Sequence, residues 1–224
     1  MSGEEGSLFC PLEFRYGRAE LRTLFSRERR LERALRVEAA LARSEAEVGM
    51  VPDAAAAAIE VAASGGAVRI ERVDELEAQL RHDVMAIAGA LAEAAGEAGA
   101  WVHYGATSAD ITDTALGLEH KEALGVLRED LSDLVRALAE LAQRHRATAE
   151  VGRTHGQHAV PTSFGYKLAG FAAEFLRHRR RLDELRPRLA VGKMAGAVGT
   201  GGSFGAHAAE VERRVMARLE LRAD

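Results

Sequence analysis

The 224-residue chain has one cysteine, Cys10, so an internal disulfide is excluded, and such sparing use fits a reducing compartment. Aromatic residues make up only 5%, so Ala, Leu and Val must fill the interior. No run of about 18 apolar residues is present, which argues against a membrane-spanning helix. No basic start followed by an apolar run reads as a signal peptide. Positive charge is not in excess: 30 Lys and Arg face 34 Asp and Glu, a net charge near −4. That balance offers no field for nucleic acid. The expectation is a soluble cytoplasmic protein without nucleic-acid or membrane partners.

What is abundant is helix-forming material. The hydrophobic fraction is 47%, dominated by residues with strong helix propensity. Ser26 to Val48 places Leu31, Leu35, Val37, Leu41 and Ala42, with Glu38 among them, on one stripe. Gly49 ends this pattern and Pro52 opens the next short helix. Ser64-Gly65-Gly66 is a turn. Glu71 to Ala95 repeats the helical period through Val73, Leu76, Leu80, Val84 and Ile87, and Gly96 and Gly99 close it. Met1 to Gly17, with Pro11, has no period and reads as an irregular arm. Trp101 to Ser108 is a loop into the longest pattern, which runs without proline to about Ala147. At roughly 1.5 Å per residue that helix approaches 55 Å, too long for a compact monomer of this size to cover, so it belongs to a bundle or an oligomer core. A second long helix follows Pro161 and ends near Pro187. Gly192 to Gly205 is a glycine-rich loop, and Ala206 to Leu221 a final amphipathic helix. The fold class is all-α.

Between the two long helices lies Gly152-Arg153-Thr154-His155-Gly156-Gln157-His158-Ala159-Val160-Pro161. It gathers an Arg, a Thr, two His and a Gln with little to bury, so it can bind an anion and move a proton. A metal reading fails, because no Cys or paired carboxylate accompanies His155 and His158. The residue pattern alone does not rank the two histidines. Thr107, Ser108, Asp110, Thr112, Asp113 and Thr114 crowd hydroxyls and acids ahead of an apolar run. Capping explains only part of that set; a helix N-terminus with free N–H groups and hydroxyls is a carboxylate or phosphate site. His82, beside Asp83, fits either the edge of a core or a site. Gly192 to Gly202 lacks the spacing of a phosphate-binding loop and follows no strand, so it reads as a bend that allows close backbone approach. Arg177 to Arg181 is a solvated helix face.

Four pieces occur here in a familiar order: His82-Asp83-Val84; Gly105-Ala106-Thr107-Ser108-Ala109-Asp110-Ile111-Thr112-Asp113-Thr114-Ala115; Gly152-Arg153-Thr154-His155-Gly156-Gln157; and Gly196-Ala197-Val198-Gly199-Thr200. With Arg15-Tyr16 at the start, they resemble the fumarase/aspartase superfamily, and within it the adenylosuccinate lyase family more than argininosuccinate lyase or 3-carboxymuconate cycloisomerase. Ala109 departs from the Ser or Gln usual there.

The resemblance implies a small helical N-terminal domain over residues 1–104. Residues 105–224 would be the first part of a central long-helix bundle shared by four subunits. It implies β-elimination of fumarate from adenylosuccinate, leaving AMP, and from the related succinyl-carboxamide intermediate, with no cofactor or metal. By position, His155 would be the general acid and His82 would assist near the leaving group or phosphate. Thr107 and Ser108 would bind the succinyl carboxylate, Thr154 and Gln157 would hold the substrate with Asp83 nearby, and Arg15 and Tyr16 would bind the phosphate. The family's Ser-Ser-x-Met-Pro-x-Lys-x-Asn-Pro loop, which carries the base, does not occur in these residues. The chain therefore reads as an N-terminal portion, inactive alone. A non-catalytic assembly module is the competing expectation.

Overall fold

The computed structural model describes residues 16–223. Helix accounts for 72% and strand for 8%, so the chain is all-α. The irregular arm falls almost entirely outside the described residues, as do Cys10 and Arg15.

The described chain forms two compact units, one running to Glu119 and resuming at Ala190, the other spanning His120 to Leu189. In the first, α1 (Ala19–Leu24) precedes α2 (Arg27–Glu47). α1 leaves no mark in the sequence pattern, because six residues are too few to show a period. The Ser26 hydroxyl caps α2 by accepting from the Arg29 N–H at 3.3 Å. Pro52 is the N-cap of α3 (Asp53–Ser64).

The single helix expected over Glu71 to Ala95 is two, α4 (Ile70–Leu80) and α5 (Asp83–Ala95). Arg81 takes a left-handed conformation, φ 54°, and His82 is extended. The His82 ring then accepts from the Met85 N–H at 3.4 Å and starts a new helix. Leu80, expected inside, is exposed at the break, whereas Val73 and Val84 are buried on either side of it.

A 3-10 turn (Gly96–Trp101) and a loop lead into α6 (Ser108–Arg144), 37 residues long. Its first turns pack in the first unit with α8 (Ala208–Leu219) and α2. Ile111, Ala115 and Leu118 meet Val37, Leu41, Val211, Val215 and Phe204 in one core cluster. A second cluster joins Leu35 and Ala42 of α2 to Ile59 of α3, Val73 of α4, and Ala86, Ala90 and Leu91 of α5. Arg33 is buried, pairs with Glu119 at 2.9 Å and donates to the Leu24 carbonyl at 2.8 Å. Two-residue strands β3 (Val191–Gly192) and β4 (Arg222–Ala223) pair in parallel.

In the second unit, the polar segment is an antiparallel hairpin of β1 (Ala149–Thr154) and β2 (Gln157–Ser163). Its register runs from Ala149 opposite Ser163 to Thr154 opposite Gln157, with an irregularity between Val151 and Arg153. The two-residue turn is His155 and Gly156, at φ 54° and 72°, the paired left-handed geometry that matches strand twist. The Ser163 hydroxyl then accepts from the Tyr166 N–H at 3.1 Å to start α7 (Phe164–Leu189). Along α6 in this unit Leu127, Leu134 and Leu141 are exposed, as is Phe171 on α7.

Candidate active site

The start of α6 is built by a carboxylate rather than by its own hydroxyls. Asp110 reaches back so that its Oδ2 accepts from the Thr107 N–H at 3.0 Å, while the Asp110 N–H donates to the Thr107 carbonyl at 2.9 Å. The Thr107 and Ser108 hydroxyls are therefore not spent on capping. Nε2 of His82 lies 3.5 Å from the Ser108 Oγ. Because Nδ1 accepts from the Met85 N–H, Nε2 carries the proton in the neutral ring and faces the serine oxygen. Nδ1 is also 3.5 Å from Asp83 Oδ1. Asp83 also accepts from the Val84 N–H at 2.8 Å.

The hydroxyl-rich run divides. Asp110 and Thr114 are fully buried, whereas Thr112 and Asp113 face out. Asp113 pairs with Lys193 at 2.9 Å. Asp110 also accepts from the Ala195 and Gly196 N–H groups, each at 3.0 Å. The expected glycine-rich bend is thus fastened to α6. Gly105 and Gly196 both need left-handed backbone, and a Cβ on either would stand 2.9 Å from Phe204 or 2.8 Å from Ser203. The Ser203 hydroxyl donates to the Gly105 carbonyl.

The sequence pattern gives His103 no role and Glu38 no partner. The structure joins them: His103 Nδ1 lies 2.6 Å from Glu38 Oε1, with both side chains largely buried. Burial disfavours the charged ring, but the hydrogen bond to Glu38 and the charges of Glu38 and Asp110 outweigh it and raise the His103 pKa. A lone acid in an apolar stripe is the signal that points to such a partner. Glu45, also fully buried, has no hydrogen-bond partner on either oxygen, and burial reinforced by Glu38 pushes its pKa to about 8.

Thr154, His155 and Gln157 share the hairpin tip, all exposed. His158 also faces out, opposite Arg153 in the register. The structure therefore gathers the sequence-derived candidates into two groups, His82, Asp83, Thr107 and Ser108 in one compact unit and the hairpin residues in the other. Tyr16 is exposed at the first described position. Among the described residues, no three His, Cys, Asp or Glu side chains gather as a metal site.

The sequence matches the Lyase family over residues 13–223. It is 49% identical over 212 residues to the adenylosuccinate lyase of Pyrococcus abyssi, covering 95% of this chain and 47% of that protein. It is 40% identical over 206 residues to the N-acetyl-S-(2-succino)cysteine lyase of Dickeya dadantii, covering 92% and 45%. The crystal structure of a fumarate lyase from Mesorhizobium sp. BNC1 superimposes with a TM-score of 0.86 at 39% identity, covering 93% of this chain and 50% of that one. The 3-carboxy-cis,cis-muconate lactonizing enzyme of Pseudomonas putida gives 0.84, also at 39% identity, covering 91% and 47%. The chain spans about half the length of the curated relatives it matches. With its helical fold and these matches, the chain belongs to the Lyase family of the fumarase/aspartase superfamily.

Proposed function

We propose that this chain provides the acid and carboxylate-binding parts of a lyase site that releases fumarate from adenylosuccinate and the related succinyl-carboxamide. The observation that carries the reading is the start of α6. Its first N–H groups and the Thr107 and Ser108 hydroxyls are within reach of solvent, and the Ser108 hydroxyl lies 3.5 Å from the Nε2 of His82, a preorganised setting for a carboxylate. In β-elimination a base takes the proton beside that carboxylate, the electron pair is held on the carboxylate, and the C–N bond breaks as an acid protonates the nitrogen. Thr107 and Ser108 hold the carboxylate, and His155 gives the proton to nitrogen. Thr154 and Gln157 hold the substrate, and His82 with Asp83 lies near the leaving group. Arg15 and Tyr16 take the phosphate of the AMP half.

Leu127, Leu134 and Leu141 of α6 and Tyr166 and Phe171 of α7 are exposed, and we assign these two faces to the core of a homotetramer in which residues 105–224 form the first part of the bundle and 1–104 the helical N-terminal domain. The cytoplasm and purine nucleotide synthesis are the setting this chemistry implies. The Dickeya relative favours a second reading within the same class, elimination from a succinyl–sulfur substrate. Argininosuccinate and carboxymuconate chemistry are further alternatives.

Calorimetric titration of the chain with AMP, fumarate, arginine and N-acetyl-S-(2-succino)cysteine tests the assignment, together with a fumarate-release assay on adenylosuccinate. AMP and fumarate are expected to bind, with no fumarate released by the chain alone, because it contains no serine-bearing base loop. Fumarate release by these residues alone, or binding of arginine in place of AMP, overturns the assignment of roles.

A further inference from the structure

One face of α6 reads the backbone of the segment beside it. At Asp110, two carboxylate oxygens accept the Ala195 and Gly196 N–H groups. One turn on, the Thr114 hydroxyl accepts from the Lys193 N–H and donates to the Lys193 carbonyl, both at 3.0 Å. At Gly117 a Cβ would stand 1.9 Å from the Val191 carbonyl oxygen, so only hydrogen fits. Further along the segment, the Gly201 N–H donates to the Ala195 carbonyl at 2.7 Å and Ser203 donates to the Gly105 carbonyl. Residues 195–203 thus form a strap with one foot on Asp110 and the other on Gly105, either side of Thr107 and Ser108. The strap's tip is free of such ties, with Val198 82% exposed.

Of these contacts, Asp110 alone serves both partners. Its carboxylate accepts three backbone N–H groups, two from the strap and one from Thr107. It is fully buried, where an anion is tolerated only with such hydrogen bonding. Thr114 holds the strap without touching the helix start. We infer that Asp110 is a positioning residue: it couples the strap to the first turn of α6 and thereby fixes the Ser108 hydroxyl toward His82. The consequence for substrate rests on the proposed carboxylate site.

The asymmetry between Asp110 and Thr114 gives the test. Wild-type chain, D110N and T114V are compared by nitrogen NMR of the His82 ring, by amide exchange along the strap, and by the shift of the Ser108 amide on adding fumarate. An asparagine carries one acceptor oxygen and an NH2 that cannot receive the N–H groups, so at least one is orphaned. Both variants are expected to exchange faster at the strap, D110N at Ala195 and Gly196 and T114V at Lys193, each by about tenfold or more. Only D110N should move the His82 Nε2 signal to its solvent-exposed position and weaken fumarate binding by about tenfold, with T114V within about twofold of wild type. An unchanged His82 signal in folded D110N, or an equal change in T114V, overturns the inference. If wild type binds no fumarate, the proposed carboxylate site fails, while the His82 signal still decides the role of Asp110. D110S, which keeps one short acceptor, replaces D110N if the latter does not fold.

Discussion

His103 meets Glu38 through a hydrogen bond of 2.6 Å, across 65 residues of sequence, tying the loop before α6 to the middle of α2. His103 is also one of the few non-glycine residues held at positive φ, 60°, a conformation that costs about 1 kcal/mol and persists only when its surroundings enforce it. Since Glu38 and Asp110 raise its pKa against the opposing effect of burial, the folded state binds the His103 proton more tightly than the unfolded state. The stabilisation is fully present below the ordinary value near 6.5 and is lost as pH rises through the raised folded value. In Glu38→Gln an acceptor remains but the charge is gone. NMR titration should show the His103 pKa falling, and denaturation should show a loss of about 1–3 kcal/mol at mildly acid pH that shrinks above neutrality. An unmoved titration would show that Glu38 does not set the charge of His103.

Glu45 gives a prediction of distinct origin. Its carboxyl lies in the same α2 face, has no hydrogen-bond partner, and is raised from 4.5 to about 8 by burial first and Glu38 second. The folded state therefore keeps a proton that the unfolded chain has released at neutral pH. Stability from this group is present below about 4.5 and drains away as pH climbs toward 8. Glu45→Met removes the titration and fills the site with an adaptable apolar side chain. Urea denaturation should show Glu45→Met more stable than wild type by about 1–3 kcal/mol near pH 8, with little gain near pH 4.5. A gain of equal size at both values would point to packing alone.

At the hairpin tip, His155 occupies a turn position that asparagine fills at lower cost. Its φ is 54° beside Gly156 at 72°. If the histidine is kept for proton transfer, His155→Asn should strengthen the hairpin while removing the acid. Amide exchange of β1 and β2 is expected to slow by about twofold to fivefold, from a gain of roughly 0.5–1 kcal/mol. On the proposed lyase reading, the turnover rate of the proposed assembly should fall by about a hundredfold or more while the substrate KM changes little. The matching His158→Asn variant should leave turnover near wild type. Equal losses in the two variants would leave His155 without its assigned role.

These elements also show which features are legible in the sequence. Ser26, Gly49 and Pro52 mark the ends of α2 and α3 through local backbone chemistry, and the structure places the boundaries within a residue or two. The α4–α5 break is hidden because apolar spacing continues across Arg81 and His82, while the break itself depends on one left-handed residue and a histidine cap. The hairpin is hidden for a related reason. Its strands are short and mostly exposed, carry Gly152 and Pro161, and turn on His-Gly rather than on the familiar Asn-Gly. At the α6 start, pattern identifies an unusual density of hydroxyls and acids but not their division. Asp110 and Thr114 turn inward because their partners lie 85 and 79 residues further along the chain, a distance at which no local period speaks.

Two glycines of α6 that look alike in sequence should respond to alanine with opposite sign. At Gly125 an added methyl group would meet nothing within 4 Å, so Gly125→Ala gains helix propensity without a clash. Thermal unfolding of this chain should rise, by the equivalent of about 0.5–1 kcal/mol. At Gly117 the added carbon would sit 1.9 Å from the Val191 carbonyl oxygen and 3.0 Å from its carbon, both backbone atoms of the segment leading into the strap. Backbone cannot swing aside as a side chain can, so the segment must shift and the Thr114 and Asp110 hydrogen bonds must stretch with it. Gly117→Ala should therefore lower the unfolding temperature despite its better propensity, by a net cost of about 1–3 kcal/mol. It should also speed amide exchange at Lys193, Ala195 and Gly196. If Gly117→Ala stabilised the chain as Gly125→Ala does, the close packing of the strap's approach against α6 would be wrong.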